Sequence, residues 1–384
     1  MMSSFPLVLL MRARREELIA AIAGLKATGV PLVGLNGGGH LYAAGYGDNL
    51  GLYFFGSLIA RATGLSAEGA ATLFFYAILG AAILVGGWGW WRYARSTGAR
   101  LLFIAAMVPL TWIAVHFGDD YILLASLPIA CVPPLLALWR RGAPSARWIW
   151  AMLLTGLAAG AGSTVRAEAG VIVCAFAAVL VLARTRVPRR QRALHVGMLL
   201  LAASLPVLGM RAAQMRRDAY LARAVPTYDP PPPAHVIWHS MYIGFGFLAN
   251  DRGLEYKDEV AGKLVERVAP GSPAYSRRYN AVVRNAVLEL VLQSPAFIAR
   301  TLFGKLGILL MYVVVFGNIG LIAAVRARKP AALDLAFLAA VVVAGLPGVL
   351  IFPVLNYMEG FTTLLVLYAL TSIDWALAAG RRPQ

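Results

Sequence analysis

Long apolar segments constrain this chain more than any other feature. Each is close to the roughly 20 residues that an α-helix needs to cross a bilayer. A strand-built membrane barrel would alternate apolar and polar residues, and these segments do not. Hydrophobic residues make up 60% of the 384 residues, whereas a soluble domain is typically about 45–50% apolar. The sequence therefore predicts an all-α integral membrane protein.

The apolar segments predict about ten transmembrane helices. The candidate spans are 18–35, 69–91, 101–117, 121–139, 148–163, 167–184, 195–211, 302–324, 333–352 and 359–377. The first is the weakest, because it contains Lys26 and Pro31. Two pairs of neighbouring spans, the third with the fourth and the fifth with the sixth, are joined by so few residues that each pair predicts a tight helical hairpin.

Basic residues of the short loops predict the orientation. With a cytoplasmic N-terminus, the other side receives only Arg61 and Arg166 from the short segments. The cytoplasmic set is Arg12, Arg14, Arg15, Arg92, Arg95, Arg100, Arg140, Arg141, Arg147, Arg184, Arg186, Arg189, Arg190, Arg192, Arg326, Arg328, Lys329, Arg381 and Arg382. This asymmetry follows the positive-inside rule. We therefore predict a multi-pass protein of the cell (inner or plasma) membrane with both termini cytoplasmic. The rule also explains most of the +17 net charge, and no nucleic-acid partner is predicted.

One long hydrophilic stretch lies between the apolar segments. The chain thus divides into an N-terminal transmembrane module (1–211), an external domain (212–300) and a C-terminal transmembrane module (301–384). The run Pro230–Pro233 cannot continue a helix, and 235–253 is loop-like in composition. Amphipathic patterns at 255–268 and 274–293 then predict two helices. We expect a mostly helical external domain.

A glycine-rich segment on the predicted external side carries the first candidate acid, Asp48. It precedes 50–63, an apolar stretch that is too short to span and contains Arg61. Such a stretch is typical of a helix lying in the membrane interface. Asp48 is therefore a candidate catalytic carboxylate, and the alternative is that it only caps this helix.

Two predicted outer turns carry further polar residues. The first contains His116, Asp119 and Asp120, and the second contains Arg166 and Glu168. Ionisable residues that converge on one face of a membrane protein suggest a site, although loops also need solvated polar residues. A guanidinium suits a phosphate group. Pairing of Arg166 with Glu168 or with lipid phosphate is the alternative.

These motifs resemble the GT-C superfamily of multi-spanning glycosyltransferases, which includes protein mannosyltransferases and aminoarabinose transferases and uses polyprenyl-phosphate-linked sugars. The resemblance is carried by Asp48 ahead of an interfacial helix, in Asp48–Tyr53, and by the second acidic site at Asp119 and Asp120. The amphipathic segment Gln293–Lys305, which runs into a later span, is also similar. Where the family often has a second acid after the first, this chain has Asn49.

The resemblance implies an inverting hexosyl or pentosyl transfer from a polyprenyl-phosphate-sugar to a lipid, glycan or protein acceptor on the external face. Asp48 would be the base. Asp119 and Asp120 would orient substrate or, with Asp48, hold a divalent cation such as Mg²⁺ or Mn²⁺. The candidate substrate-binding residues are His40, Tyr53, His116, Arg166, Glu168, His239 and Tyr242. Membrane lipids are the remaining expected partners.

Two other functional classes stay open. A lipid or polysaccharide transporter or flippase would place ionisable residues near mid-membrane and often shows repeated halves. Here the span centres are almost free of charge and no internal repeat is present, which argues against transport. A non-catalytic membrane assembly protein, whose external domain binds a partner, is the third interpretation.

Overall fold

The computed structural model describes residues 10–45, 50–142, 145–230, 237–272, 274–327 and 329–379. Within these residues the chain is mainly helical, with one antiparallel pair of short strands near its start. In chain order the elements are α1 (Arg12–Thr28), β1 (Val33–Leu35), β2 (Leu41–Ala43), α2 (Leu50–Thr63), α3 (Ala67–Tyr93), α4 (Thr97–Phe117), α5 (Ile122–Arg140), α6 (Ser145–Val165), α7 (Ala167–Leu182), α8 (Arg189–Ala224), α9 (Ile237–Gly244), α10 (Asp258–Val268), α11 (Arg277–Gln293), α12 (Pro295–Arg326), α13 (Ala331–Leu350) and α14 (Glu359–Ala379).

Eight of the described helices are long and apolar enough to cross a membrane, which confirms the prediction of an all-α membrane protein. They are α3, α4, α5 with the turn before it, α6, α8, α12, α13 and α14. The count of about ten is not confirmed. The apolar helices α2 and α7 are shorter, with 14 and 16 residues. Both predicted helical hairpins are present, and Arg166 alone separates α6 from α7.

The predicted first span, 18–35, is wrong. Its residues divide between α1 and a strand: α1 ends where Gly29 takes up a left-handed backbone (φ 71°), and Val33 pairs with Ala43 in an antiparallel hairpin. Glycine is favoured at this position because it has no Cβ to clash. The physical reason for the error is that α1 begins six residues earlier than the apolar pattern, and its first turns are heavily charged.

The position of α1 also overturns part of the predicted topology. Arg14 of α1 donates hydrogen bonds to Asp119 and Asp120, which lie between α4 and α5. The prediction places Arg14 across the membrane from these two acids, so it is wrong at this point. We call the end of the bundle that holds the 118–121 turn the site end. The opposite end, marked by Arg95, Arg140 and Arg184, is the arginine end.

Small residues allow the spanning helices to approach closely. A Cβ atom added to Gly156 would lie 2.4 Å from the Leu199 carbonyl oxygen, and one added to Gly160 would lie 2.2 Å from that of Ala203. Hence α6 and α8 pack backbone to backbone, as helices with small residues at four-residue spacing commonly do in membranes. This packing holds α8 beside the hairpin that carries Arg166.

A helical domain covers part of the site end. Helix α8 has 36 residues, or roughly 54 Å, so it extends well beyond a hydrocarbon core of roughly 30 Å. The domain follows, with α10 and α11 close to the two predicted amphipathic helices. Part of the predicted loop at 235–253 is instead the short helix α9, and Gly244 at its end packs against the Ile351 carbonyl. Pro231–Pro233 of the proline run lie outside the described residues.

Candidate functional site

A strained turn between α4 and α5 directs two carboxylates into the protein. Gly118 ends α4 with a φ of 56°, and Asp119 follows with a φ of 63°. This left-handed conformation is uncommon for residues other than glycine, although aspartate tolerates it better than most. The Asp119 Oδ1 accepts a hydrogen bond from the backbone N–H of Asp120 at 2.9 Å. Both side chains are buried as a result.

Arg14 holds these two carboxylates together. Its Nη1 donates to Asp119 Oδ2 at 2.5 Å and to Asp120 Oδ1 at 2.6 Å. Burial opposes the charged form of Arg14, but the Asp120 and Asp119 carboxylates outweigh it and raise the pKa of Arg14 above its ordinary value. One guanidinium that bridges two buried acids is a charge-assisted arrangement with short hydrogen bonds.

Arg166 joins the second outer turn to the first. It is buried, its Nε lies 3.0 Å from Glu168 Oε2, and its Nη1 lies 3.5 Å from Asp120 Oδ2. Its guanidinium carbon stands 4.5 Å from the centre of the Tyr121 ring. The predicted alternative, pairing of Arg166 with Glu168, is therefore realised. The same guanidinium also contacts the aspartate turn.

Glu359, the first residue of α14, adds a fourth carboxyl to this cluster. Its side chain is only 1% exposed, and neither of its oxygens has a hydrogen-bond partner among the residues that the structure describes. Asp120 and Arg166 are its electrostatic neighbours. We call Arg14, Asp119, Asp120, Arg166, Glu168 and Glu359 the charged cluster. Its four carboxyls outnumber its two guanidiniums, so ion pairs do not neutralise all of them.

Three tyrosines connect the charged cluster to the helical domain. The rings of Tyr121 and Tyr357 meet edge to face with centroids 5.2 Å apart, and Arg166 also lies over Tyr357. The Tyr256 hydroxyl of the domain donates to the Tyr357 hydroxyl at 3.2 Å. Burial, followed by the neighbouring Tyr357, raises the pKa of Tyr256. A ligand bound by the domain would therefore lie a short distance from the buried charges.

The predicted base, Asp48, lies outside the described residues. The described residues on either side of Asp48 contact the segments that carry Arg14 and Arg166. Glu17 of α1 accepts hydrogen bonds from the Tyr42 hydroxyl and the Gly45 N–H, each at 2.9 Å. At the start of α2, Gly51 packs so tightly on Thr164 and Val165 that a Cβ would be 2.6 Å from the Val165 side chain. Thr164 and Val165 directly precede Arg166 in the chain.

Of the remaining predicted residues, Tyr53 lies near the charged cluster and two histidines do not. Tyr53 is buried, burial raises its pKa, and Arg14 is among its electrostatic neighbours. His40 lies exposed after the turn of the β1–β2 hairpin. His116 is also exposed, and its ring stacks on the exposed Trp112 with centroids 4.9 Å apart. It therefore faces away from the bundle interior.

The other two predicted binding residues belong to the interior of the helical domain. The ring nitrogens of His239 hydrogen-bond the Tyr279 hydroxyl at 2.7 Å and Asp258 at 3.1 Å, which ties α9 to α10 and α11. The His239 hydrogen bond lowers the pKa of Asp258. Tyr242 packs against the domain's apolar core. Both side chains hold the domain together and are not part of the charged cluster.

The predicted divalent-cation site combines Asp119 and Asp120 with Asp48, which lies outside the described residues, so it stays a prediction. No group of three or more His, Cys, Asp or Glu side chains in the described part of the chain is placed to hold a metal ion. Asp119 and Asp120 instead face Arg14, whose fixed positive charge opposes a cation at the same oxygens.

Sequence reasoning missed two members of the site, Arg14 and Tyr357, and it assigned no role to Glu359, an acid that alternation puts on the predicted external side. Arg14 was assigned to the opposite side because it fits the positive-inside pattern, although the charges around it already argue against a span at α1. Glu359 stands out only as an acid at the start of an apolar segment. Tyr357 has no distinguishing pattern in the sequence, since its role depends on contacts with Tyr256 and Tyr121, which are distant along the chain.

No protein-family model, no curated protein and no solved structure matches this chain.

Proposed function

We propose that this protein is a membrane glycosyltransferase that moves a sugar from a polyprenyl-phosphate carrier to an acceptor on the external face. The observation that carries the proposal is the charged cluster, which gathers two guanidiniums and four carboxyls at one end of an apolar bundle, with Arg14 and Glu168 half-buried and the other four groups buried. A buried guanidinium suits a lipid phosphate, and a carboxyl suits removal of a proton from an acceptor hydroxyl. Both groups are needed in one place for this reaction.

The arrangement of charge also supports an external site end. The loops of the arginine end carry most of the short-loop arginines, so the positive-inside rule puts that end in the cytoplasm. We count α7 as a ninth crossing, because it joins Arg166 at the site end to Arg184 at the arginine end. With nine crossings, α1 and the end of α14 lie on opposite sides of the membrane.

Within the charged cluster we assign roles by partner. Arg166, on the turn between two spans and next to the tyrosines, is the candidate for the donor phosphate. Arg14 is paired with Asp119 and Asp120. We therefore assign these two carboxylates to orienting the substrate. Glu359 has no hydrogen-bond partner among the described residues, which supports it as a second candidate for proton exchange. Asp48 stays the base predicted from the sequence.

The distribution of charge favours this reaction over transport. Most charged side chains of the spanning helices lie near the helix ends, and Lys305 of α12 and Arg211 of α8 lie farther in. Transporters, by contrast, place several ionisable residues or broken segments near the midplane. The helical domain is linked to the charged cluster through Tyr256 and Tyr357, and it supplies a surface for the acceptor beside the donor.

The test is chemical. Purified protein in lipid nanodiscs is incubated with a panel of polyprenyl-phosphate-sugars, and released polyprenyl phosphate is measured. We expect Arg166→Ala to weaken donor binding by about 1.5–3 kcal/mol, the usual contribution of a hydrogen bond to a charged group. Arg166→Lys should recover part of it. Arg61→Ala, the exposed arginine of α2, is the matched control and should bind normally.

The variant Asp48→Asn should fold and lose about 10²–10⁴-fold in turnover. If no donor is cleaved, and vesicles instead show lipid or solute movement that depends on Arg166, the protein is a transporter. If neither activity is found, a non-catalytic assembly role replaces the proposal.

A further inference from the structure

A cavity of about 790 Å³ opens at the arginine end. It lies where the ends of α5, α7 and α14 meet the segments before α8 and α13. Four arginines and two tryptophans form much of its wall: Arg95, Arg140, Arg184, Arg186, Trp139 and Trp375. Its volume falls within the roughly 300–1,000 Å³ of typical ligand pockets. It is separate from the charged cluster, which lies at the other end of the bundle.

Protein contacts hold three of the four guanidiniums around this cavity, and the fourth, Arg186, is exposed. Arg95 stacks over Trp375, with 4.6 Å from its guanidinium carbon to the ring centre, and Arg184 stacks over Trp148 at 4.4 Å. Arg140 donates to the Tyr93 carbonyl oxygen. Arginines that only orient a membrane protein can remain in water, as the exposed Arg189 and Arg190 do. Stacked and bonded arginines around one space point instead to a ligand.

The cavity has an excess of positive charge. None of its lining residues is acidic. The nearby Asp374 is buried and accepts hydrogen bonds from the backbone N–H groups of Arg95 at 2.8 Å and Ser96 at 3.3 Å. Its other carboxylate oxygen lies 3.3 Å from Arg140 Nη1. That single carboxyl opposes four guanidiniums, so the cavity favours an anionic occupant. Planar guanidiniums bind phosphate through two parallel hydrogen bonds.

We propose that this cavity binds the phosphate groups of an anionic membrane lipid, with two phosphates suited to its four arginines. Basic pockets between transmembrane helices at the cytoplasmic side are typical sites for such head groups. The tryptophans fit the same interpretation, because their rings favour the membrane–water interface. The proposal does not depend on the glycosyltransferase reaction, since it uses none of the charged cluster.

The test compares two double variants that remove equal charge from adjoining positions. Arg184→Gln with Arg186→Gln alters the cavity, and Arg189→Gln with Arg190→Gln alters exposed residues just beyond it. Lipid binding by each purified protein is measured by native mass spectrometry with cardiolipin, which has two phosphates, and with zwitterionic phosphatidylcholine. Wild-type protein should prefer cardiolipin. The cavity variant should lose at least tenfold in cardiolipin affinity, and the control variant less than twofold.

A folding control, a third cavity variant and a competition experiment make the result decisive. Circular dichroism and the thermal midpoint confirm that the cavity variant is folded, and Arg95→Gln, from a different segment of the wall, should reduce cardiolipin binding in the same direction. Inorganic pyrophosphate added at millimolar concentration should not displace the lipid. Displacement by pyrophosphate would assign the cavity to a soluble phosphate compound and overturn the lipid proposal. Equal loss in both double variants, or no preference for cardiolipin, would also overturn it.

Discussion

Replacing Arg14 with methionine is the sharpest test of how this protein is assembled. The change removes the guanidinium that lies 2.5 Å from Asp119 and 2.6 Å from Asp120 while keeping most of the side-chain volume. The two aspartate side chains are only 2% and 0% exposed, and Arg14 is 14% exposed. Removing one partner of a buried ion pair typically costs about 3–5 kcal/mol, because the other charge remains buried. We expect a loss of that size.

The unfolding midpoint in a mixed-detergent titration measures this loss. Arg12→Met is the matched control, since Arg12 lies on the same helix turn, is 89% exposed and pairs with Glu16 at the surface. It should leave the midpoint unchanged. Adding Asp119→Asn to Arg14→Met should restore part of the stability, because one uncompensated charge is removed. In a double-mutant cycle the two changes should couple by about 0.5–3 kcal/mol.

A result within about 0.5 kcal/mol of wild type for Arg14→Met would mean that Arg14 behaves as an ordinary surface residue. The placement of α1 at the site end would then be refuted, and the topology with Arg14 in the cytoplasm would regain support.

Three further predictions follow from the fold. In a background without Cys131 and Cys174, single cysteines at positions 12 and 272 should react with an impermeant thiol reagent from the same side of the membrane. A cysteine at the exposed position 97 should react only from the other side. Labelling of 12 and 97 from one side would contradict the placement of α1. Gly160→Ala should cost about 1–3 kcal/mol by overpacking, since the new Cβ would lie 2.2 Å from the Ala203 oxygen, whereas Gly80→Ala meets open space and should not lower the unfolding midpoint. The hydrogen bond to His239 lowers the pKa of Asp258. This contact therefore stabilises the domain at pH values above the unfolded-state pKa of about 3.9, and the stabilisation is lost as the pH falls through the lower folded-state pKa. Asp258→Asn should flatten this acid dependence of domain unfolding, and an unchanged pH profile would argue against the contact.

The spanning helices could be predicted because bilayer crossing imposes a simple length and composition. Their observed bounds extend the apolar patterns by a few residues at each end, as in α3 and α6, where polar and aromatic residues continue the helix. The first span failed for a physical reason. Its apolar residues pack on α2 and the hairpin instead of on lipid, and Leu18 and Leu25 are buried within the protein.

The site was only partly predictable. Asp119, Asp120, Arg166 and Glu168 could be found because each lies in a short turn between two spans, where alternation fixes the side. Arg14 could not be assigned to them, since its contacts join residues more than a hundred positions apart. Glu359 falls on the same predicted side by alternation, but the sequence does not indicate which residues surround it. The histidines illustrate the opposite error. His116 and His239 are predicted on the same side as the acids, yet His116 stacks on the exposed Trp112 and His239 hydrogen-bonds within the helical domain.

The location of α1 has a consequence for biogenesis. If the site end is external as we propose, α1, the strand hairpin and α2 must be exported together as one tail when α3 crosses the bilayer. That tail includes three arginines close together, Arg12, Arg14 and Arg15, which normally resist export. Arg14 then reaches the external side before the turn with Asp119 and Asp120, its partners in the folded protein, has been synthesised. We therefore expect the last step of membrane insertion to be docking of the exported tail onto the assembled helices, through the contacts of Arg14 with Asp119 and Asp120.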